Sequence, residues 1–360
     1  MRDLQVYYDA AAELLKGGTP YGQAFGLSSG FYKYSPAAAL VFAPFHLIGW
    51  MATRILYFVV LAASISWGLP WMVNQFRNES TSETWLPVIL LSTAAIGGHL
   101  SREMLLGNVN WFLLLLAIVA FKLLRHKATL GGVVIGVILL FKPHFAVLLP
   151  WLVLRQEWKS LILAAGTIAV GLFLPALGLG WSSNLELIAE WGGAMLAHNG
   201  ELGSSPNTVF GLISNIFGSE WSGWVLASIA FTGAAVFAWM LYHFRKEKAA
   251  GSALVDRFRR NEYFLLIAII PNLVHTDTEH FMWVLPLIIL WLDHIWKPTN
   301  SNGWLKFAVW GLAVIPFTLT TPDIWGQEMA EWFDKSGVLG IANLVFIALF
   351  LIEEYPVRDS

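Results

Sequence analysis

Charge is what this 360-residue chain has least of: 13% of its positions are Asp, Glu, Lys or Arg, about half the ~25% of an ordinary soluble domain. A soluble surface of this size cannot be covered with so few charges. That excludes a cytosolic enzyme and a disordered chain, and a net charge of −2 excludes bulk attraction to nucleic acid. Cysteine is absent altogether, which excludes disulfide frameworks, thiolate zinc sites and cysteine nucleophiles. In their place the chain is 57% hydrophobic, with 19 Trp and 24 Phe. A membrane span takes about 20 apolar residues, and there is room for ten or more. The composition predicts an all-α, polytopic membrane protein.

Apolar runs near 55–76, 85–100, 108–124, 128–141, 144–154, 160–179, 221–244, 261–275, 281–296, 303–321 and 336–353 predict about eleven transmembrane helices. The run 36–50, interrupted by Pro44 and followed by Arg54, is short for a span and predicts a re-entrant or interfacial helix. The whole of 1–360 reads as one membrane-embedded domain, with 1–50 as its first outer region and 51–360 as the helices. Lys and Arg in short loops set orientation. Lys122, Arg125 and Lys127, Arg155 and Lys159, and the group Arg245 to Arg260 alternate onto one side, which is therefore cytoplasmic. Segment 181–206 holds no Lys or Arg, and 322–335 holds four acids against Lys335. Residues 1–35, 101–107, the turn at 142–144, loop 181–220, the turn at 275–280 and loop 322–335 are thus expected outside, in a multi-pass protein of the cell (inner) membrane. No signal-peptide pattern opens the chain.

Ionisable residues beside apolar helices mark functional sites, and several sets fall on the outer side. Residues 3–16 read as an amphipathic helix with Leu4, Tyr7, Tyr8, Ala11, Leu14 and Leu15 on one stripe, ended by Gly17-Gly18. Asp3 stands one turn before Tyr7 and either faces a cleft with it or caps the helix. Tyr34 lies in an aromatic stretch, Tyr32-Lys33-Tyr34-Ser35-Pro36. Asn108 and Asn110 follow Gly107 at the mouth of a span, as ligand-binding amides or as a helix cap. Lys142-Pro143-His144 turns the chain between two short apolar runs; its cation suits a phosphate or snorkels to the interface. The densest set is Asn272, His275, Asp277, Glu279 and His280. These residue types fit a metal site or a hydrogen-bonded acid/base cluster on a sugar or phosphate. No zinc signature is present, so no metal is expected. A further set, His198 to Glu201 with Ser204 to Thr208, reads as ordinary loop polarity.

In order and spacing these sets resemble the GT-C membrane glycosyltransferases, and more closely glycosyltransferase family 87, the DUF2029 group. The motifs are Asp3 leading a Tyr-rich helix into Gly17-Gly18-Thr19-Pro20-Tyr21; Phe31 to Pro36 leading into a short helix closed by Pro44; Gly107-Asn108-Val109-Asn110; and a Gly-rich helix ending in Lys142-Pro143. The resemblance covers most of the chain. It implies retaining or inverting transfer of a mannose-like sugar from a polyprenyl-phosphate donor to a lipid or cell-envelope glycan, on the outer face. It implies Asp3 as general base on the acceptor hydroxyl, and Lys142, His275 and His280 stabilising the phosphate leaving group, with His280 the catalytic donor. Tyr7, Tyr34, Asn108, Asn110, Lys142, His144, Asn272, His275, Asp277 and Glu279 then bind substrate. No cofactor is implied. The family pattern carries a transmembrane helix ahead of the loop Asp, whereas here Asp3 follows Met1 and Arg2 directly: either the start site is called too late, or the gene is truncated, or this member lacks that helix. Two other readings stay open: a transporter or flippase for a lipid-linked sugar, and a metal-dependent membrane hydrolase built on residues 275–280.

Overall fold

The computed structural model describes residues 1–25, 31–76, 85–199, 205–218, 252–275, 277–295, 303–320 and 322–354. Helices account for every regular element among them, α1 (Arg2–Leu15), α2 (Pro36–Phe42), α3 (Gly49–Phe76), α4 (Trp85–Leu106), α5 (Asn110–His126), α6 (Ala128–Phe141), α7 (Leu148–Leu154), α8 (Trp158–Phe173), α9 (Ala176–Leu179), α10 (Trp181–Asn199), α11 (Val209–Phe217), α12 (Ser252–Ala268), α13 (Ile270–Leu273), α14 (Leu285–Ile295), α15 (Gly303–Leu319), α16 (Pro322–Trp325), α17 (Gln327–Lys335) and α18 (Val338–Glu354). Short 3-10 turns cover Ala43–Leu47, Pro143–Val147 and Thr278–Val284. Apart from one isolated bridge, Ala24 to Phe31, no β-pairing occurs among the described residues.

Two helices are long and apolar enough to cross a membrane, Gly49–Phe76 and Trp158–Leu179; counting two bent pairs as single spans raises the number to four. The expected eleven are therefore not found among the described residues, and the run 221–244 lies outside them. The reason is helix length. Helix α6 has 14 residues, about 21 Å at 1.5 Å per residue, against a hydrocarbon core of about 30 Å. Pro143 follows directly, and the next turn is 3-10, so the apolar run 128–154 becomes two short pieces. The same happens at 36–47, where α2 passes into a 3-10 turn at Ala43.

Three expected loops are helical instead. Helix α4 runs on to Leu106, and within it Glu103 is fully buried and serves the next helix: its carboxylate accepts the Trp111 backbone N–H at 2.8 Å and the Asn110 Nδ2 at 3.1 Å. Segment 181–199 forms α10, anchored where Asn184 Nδ2 donates to the Leu172 carbonyl at 3.0 Å. Segment 322–335 forms α16 and α17, with Gly326 at φ 78 between them. The lack of Lys and Arg in the second case and polarity in the last were signals of environment, not of backbone form.

The chain divides into two compact units, Met1–Gly68 with Ser101–Gly200, and Leu69–Leu100 with Glu201–Ser360. In the first, α6 lies directly on α8. A Cβ at Gly132 would stand 2.2 Å from the Ser160 carbonyl oxygen, and one at Gly136 2.6 Å from Thr167 Cβ. This is the small-residue seam by which apolar helices approach closely where no water drives them together. In the second unit α14 is buried all round except His294, the pattern of a central core helix. Trp291 stacks on Trp310 at 5.0 Å and meets the Phe346 edge at 5.9 Å.

Candidate functional site

Within the first unit, the first helix folds as its pattern predicts and ends one residue before Lys16, with Gly17 at φ 79. Its buried face is Leu4, Val6, Tyr7, Ala10, Ala11 and Leu14. Leu15, expected on that stripe, is 58% exposed, because the buried arc is rotated towards Val6 and Ala10. Asp3 does not cap the helix. The capping position is Met1, and Asp3 reaches across 105 residues of sequence to accept a hydrogen bond from Asn108 Nδ2 at 2.6 Å.

Gly107 makes that reach possible. Its φ of 72 is a conformation that side chains disfavour, and a Cβ there would stand 2.9 Å from Leu4 Cβ. Helix α1 therefore seats on a bare backbone corner, and the next residue, Asn108, is presented to it. Asn108 is 4% exposed. Its Oδ1 accepts the Tyr7 hydroxyl at 2.9 Å and the Val109 backbone N–H at 2.7 Å, and its carbonyl accepts the Tyr57 hydroxyl at 2.7 Å. The Tyr34 hydroxyl lies 3.0 Å from that of Tyr7. With Tyr7 donating to Asn108, the order of donation is Tyr34 to Tyr7 to Asn108, whose amide donates on to Asp3. Burial, then the neighbouring Tyr34 and Asp3, push the Tyr7 hydroxyl well above the usual phenol range, so it stays a proton donor.

Tyr34 is fixed from three sides. Its carbonyl accepts the Tyr21 hydroxyl at 2.8 Å, the preceding Lys33 carbonyl accepts the Trp191 indole N–H at 3.2 Å, and Ser35 caps α2 by accepting the Ala38 N–H at 3.3 Å. Thr19 bonds Glu190 of α10. Lys142, in extended conformation at the end of α6, is 5% exposed and holds its ammonium 5.8 Å from the centre of the Tyr34 ring. His144 is half-buried in the 3-10 turn that follows. Asn110 points the other way and bonds Glu103. The first unit thus brings together Asp3, Tyr7, Tyr34, Asn108 and Lys142: a carboxylate, two hydroxyls, an amide and a cation.

The second unit holds its own cluster. Ligand atoms of Asp277, Glu279 and His280 lie within 4.8 Å of one another, and this is the set among the described residues with the geometry to hold a metal ion. Asp277 is exposed, whereas Glu279 and His280 are buried. His280 Nδ1 bonds the Asp277 carbonyl at 2.9 Å, and its ring meets the Trp283 edge at 4.9 Å. His275 is half-buried. Asn272 is different. Its Nδ2 donates to the carbonyls of Asn207 and Gly340, both at 3.0 Å, and its Oδ1 accepts from Asn343 Nδ2 at 2.6 Å. Asn207 Nδ2 donates to Asp334 at 3.0 Å, and Asn207 Oδ1 accepts the Gly340 N–H at 3.0 Å. The Asn272 amide holds backbone together. The side chains of the 198–204 set lie outside the described residues.

Glu103 and Tyr57 were missed by sequence reasoning, and Tyr21 was marked only as the end of the Gly17-to-Tyr21 motif. The signal for Glu103 was present: a carboxylate near the end of an apolar helix, four residues before a glycine. Nothing in the pattern marks Tyr57, which lies in the middle of an apolar stretch.

The chain is 30% identical, over 45% of its length, to an alpha-(1->3)-arabinofuranosyltransferase of Corynebacterium glutamicum, and covers 38% of that protein; it thus spans less than half of that relative. It is 28% identical, over 97% of its length and 79% of the relative, to a polyprenol-phosphate-mannose-dependent alpha-(1-2)-phosphatidylinositol pentamannoside mannosyltransferase of Mycobacterium tuberculosis. A Mycolicibacterium smegmatis polyprenol-phosphate-mannose-dependent alpha-(1-2)-phosphatidylinositol mannoside mannosyltransferase is 24% identical over 90% of the chain and 79% of its own length. No solved structure matches. The family model of glycosyltransferase family 87 matches residues 31–256, a stretch that contains Tyr34, Asn108, Asn110, Lys142 and His144, and the chain belongs to that family.

Proposed function

We propose that the protein transfers a mannose-like sugar from a polyprenyl-phosphate donor to a hydroxyl of a lipid or cell-envelope glycan, on the outer face of the cell membrane. The observation that carries this reading is the Asp3 carboxylate, held by Asn108 at the end of a buried hydroxyl chain with the Lys142 ammonium beside Tyr34. The long relatives, named for polyprenol-phosphate-mannose, support the donor class. The absence of Lys and Arg from 181–206 supports the outer face.

In this reading Asp3 takes the proton of the acceptor hydroxyl as its oxygen bonds the anomeric carbon. The bond from that carbon to the phosphate oxygen breaks, and polyprenyl monophosphate leaves with the electron pair. A positioned carboxylate base contributes about 10²–10⁴-fold. The leaving phosphate gains negative charge, which Lys142 is placed to stabilise. Asn108 fixes the carboxylate, and Tyr7 fixes Asn108.

The test is transfer by the purified protein in vesicles supplied with polyprenyl-phosphate mannose and an acceptor extract of membrane lipid and glycan. Labelled product with the natural protein, and at least about a hundredfold less with Asp3→Asn at equal folded amount, is the expected result. Undiminished transfer by Asp3→Asn removes Asp3 from the chemistry. Absence of product with every polyprenyl-phosphate sugar overturns the assignment of donor.

A further inference from the structure

We infer that Arg54 anchors the phosphate of the lipid-linked substrate, receiving it from the bilayer at the edge of the Asp3 site; this rests on the proposed sugar transfer. Arg54 lies in the second turn of α3, a candidate membrane span of 28 residues. It is exposed, and so are its apolar neighbours, with Met51 at 64% and Ile55 at 61%. An arginine on an apolar face is costly unless its charge reaches water, a headgroup or an anion. Among the described residues no carboxylate pairs with it; its recorded partner is the Trp50 ring, 5.7 Å from the guanidinium carbon.

That ring belongs to a small platform. Tyr8 lies 5.2 Å from Trp50 and 3.8 Å from the His46 ring, and His46 Nε2 bonds the Tyr8 carbonyl at 2.8 Å. Tyr8 stands on α1 five residues after Asp3, and Arg54 and Asp3 both bear electrostatically on the Met1 nitrogen. The guanidinium therefore sits at the Asp3 end of α1, on the side that carries exposed apolar residues. A cation stacked on an aromatic face keeps its in-plane N–H donors for another group, and the planar fork matches phosphate oxygens in pairs. Lys142 is a different cation, buried beside Tyr34. The exposed Arg54 receives the phosphate as it arrives on its polyprenyl chain, and the buried Lys142 meets it as it leaves the sugar.

The experiment measures binding apart from turnover. The full-length protein in nanodiscs is titrated with polyprenyl monophosphate and, in a parallel arm, with phosphatidylglycerol, using native mass spectrometry. For Arg54→Gln we expect about tenfold weaker binding of polyprenyl monophosphate, the size of one charge-assisted contact, and little change for phosphatidylglycerol. Arg54→Lys restores part of the loss, and in the transfer assay Arg54→Gln raises KM for the donor about tenfold with kcat within about twofold. Trp50→Leu, which removes the platform and leaves the charge, gives a smaller loss of affinity. Unchanged binding of polyprenyl monophosphate by Arg54→Gln overturns the inference, and so does an equal loss for both lipids, which marks a general headgroup contact. Arg54-dependent binding in a protein that transfers no sugar upholds the anchor and defeats the transfer reading; normal transfer with indifferent binding does the reverse.

Discussion

Two buried asparagines, one in each unit, do opposite things with the same amide. Asn108 gives its N–H to a half-buried carboxylate and its oxygen to the Tyr7 hydroxyl. Asn272 gives its N–H to two backbone carbonyls and its oxygen to a third asparagine, all within a fully buried layer. The first network ends on groups able to exchange protons with a substrate. The second ends on backbone, whose groups must be satisfied wherever water is excluded. In an apolar chain a polar residue is conspicuous in either case, so it is the partners that distinguish the two amides.

The comparison breaks most severely at Asp3. Asp3→Asn keeps the size and the contact to Asn108 but removes the base, and transfer is expected to fall by about 10²–10⁴-fold with an unchanged unfolding midpoint, read by label transfer and by melting in detergent. Asn272→Ala is the mirror case. It strands two carbonyls, at about 1–3 kcal/mol for a buried group left unsatisfied, so the unfolding midpoint should drop while the rate per folded molecule holds. A fall in rate with full stability would move Asn272 to the working side. Gly107→Ala forces a side chain into a positive-φ corner against Leu4; a loss of about 1–3 kcal/mol is expected, along with reduced transfer, because α1 carries Asp3. Tyr7→Phe is the mildest, about 1 kcal/mol and a few-fold in rate.

Tyr7 also sharpens the comparison through pH. Its folded-state value is raised by burial, so above about pH 10, where the unfolded tyrosine ionises, the unfolded chain binds fewer protons than the native one and stability falls. Tyr7→Phe should flatten that alkaline decline, measured as unfolding free energy against pH.

Much of the first unit was legible because its signals are local. The stripe of α1, its glycine end, the run 128–141 and the turn at Lys142-Pro143 all rest on neighbours within a few residues. Asp3, Tyr7, Tyr34, Asn108 and Lys142 could be singled out as polar residues in an apolar chain, but their joining depends on contacts over a hundred residues apart, which no period encodes. Span counting failed for a related reason. Hydropathy reports what a stretch dissolves in, whereas Pro143, Gly107 and the 3-10 turns decide how long each helix runs. Three of the four acids at 322–335, read as loop, stand on an amphipathic helix, Gln327–Lys335, since polarity on one face is invisible to a count of charges.

The bond between Asp3 and Asn108 also sets a timetable. During synthesis the first helix emerges ahead of every surface its buried face rests on, first Phe42 and His46 and only later Gly107. Leu4 waits for Gly107, and Tyr34 for Phe141 and Lys142. Until Asn108 has left the ribosome, the Asp3 carboxylate lacks the amide that holds it. Contacts of such sequence separation form slowly, so α1 is expected to stay open to proteases in nascent chains stopped before residue 107 and to become resistant in chains that extend past residue 142.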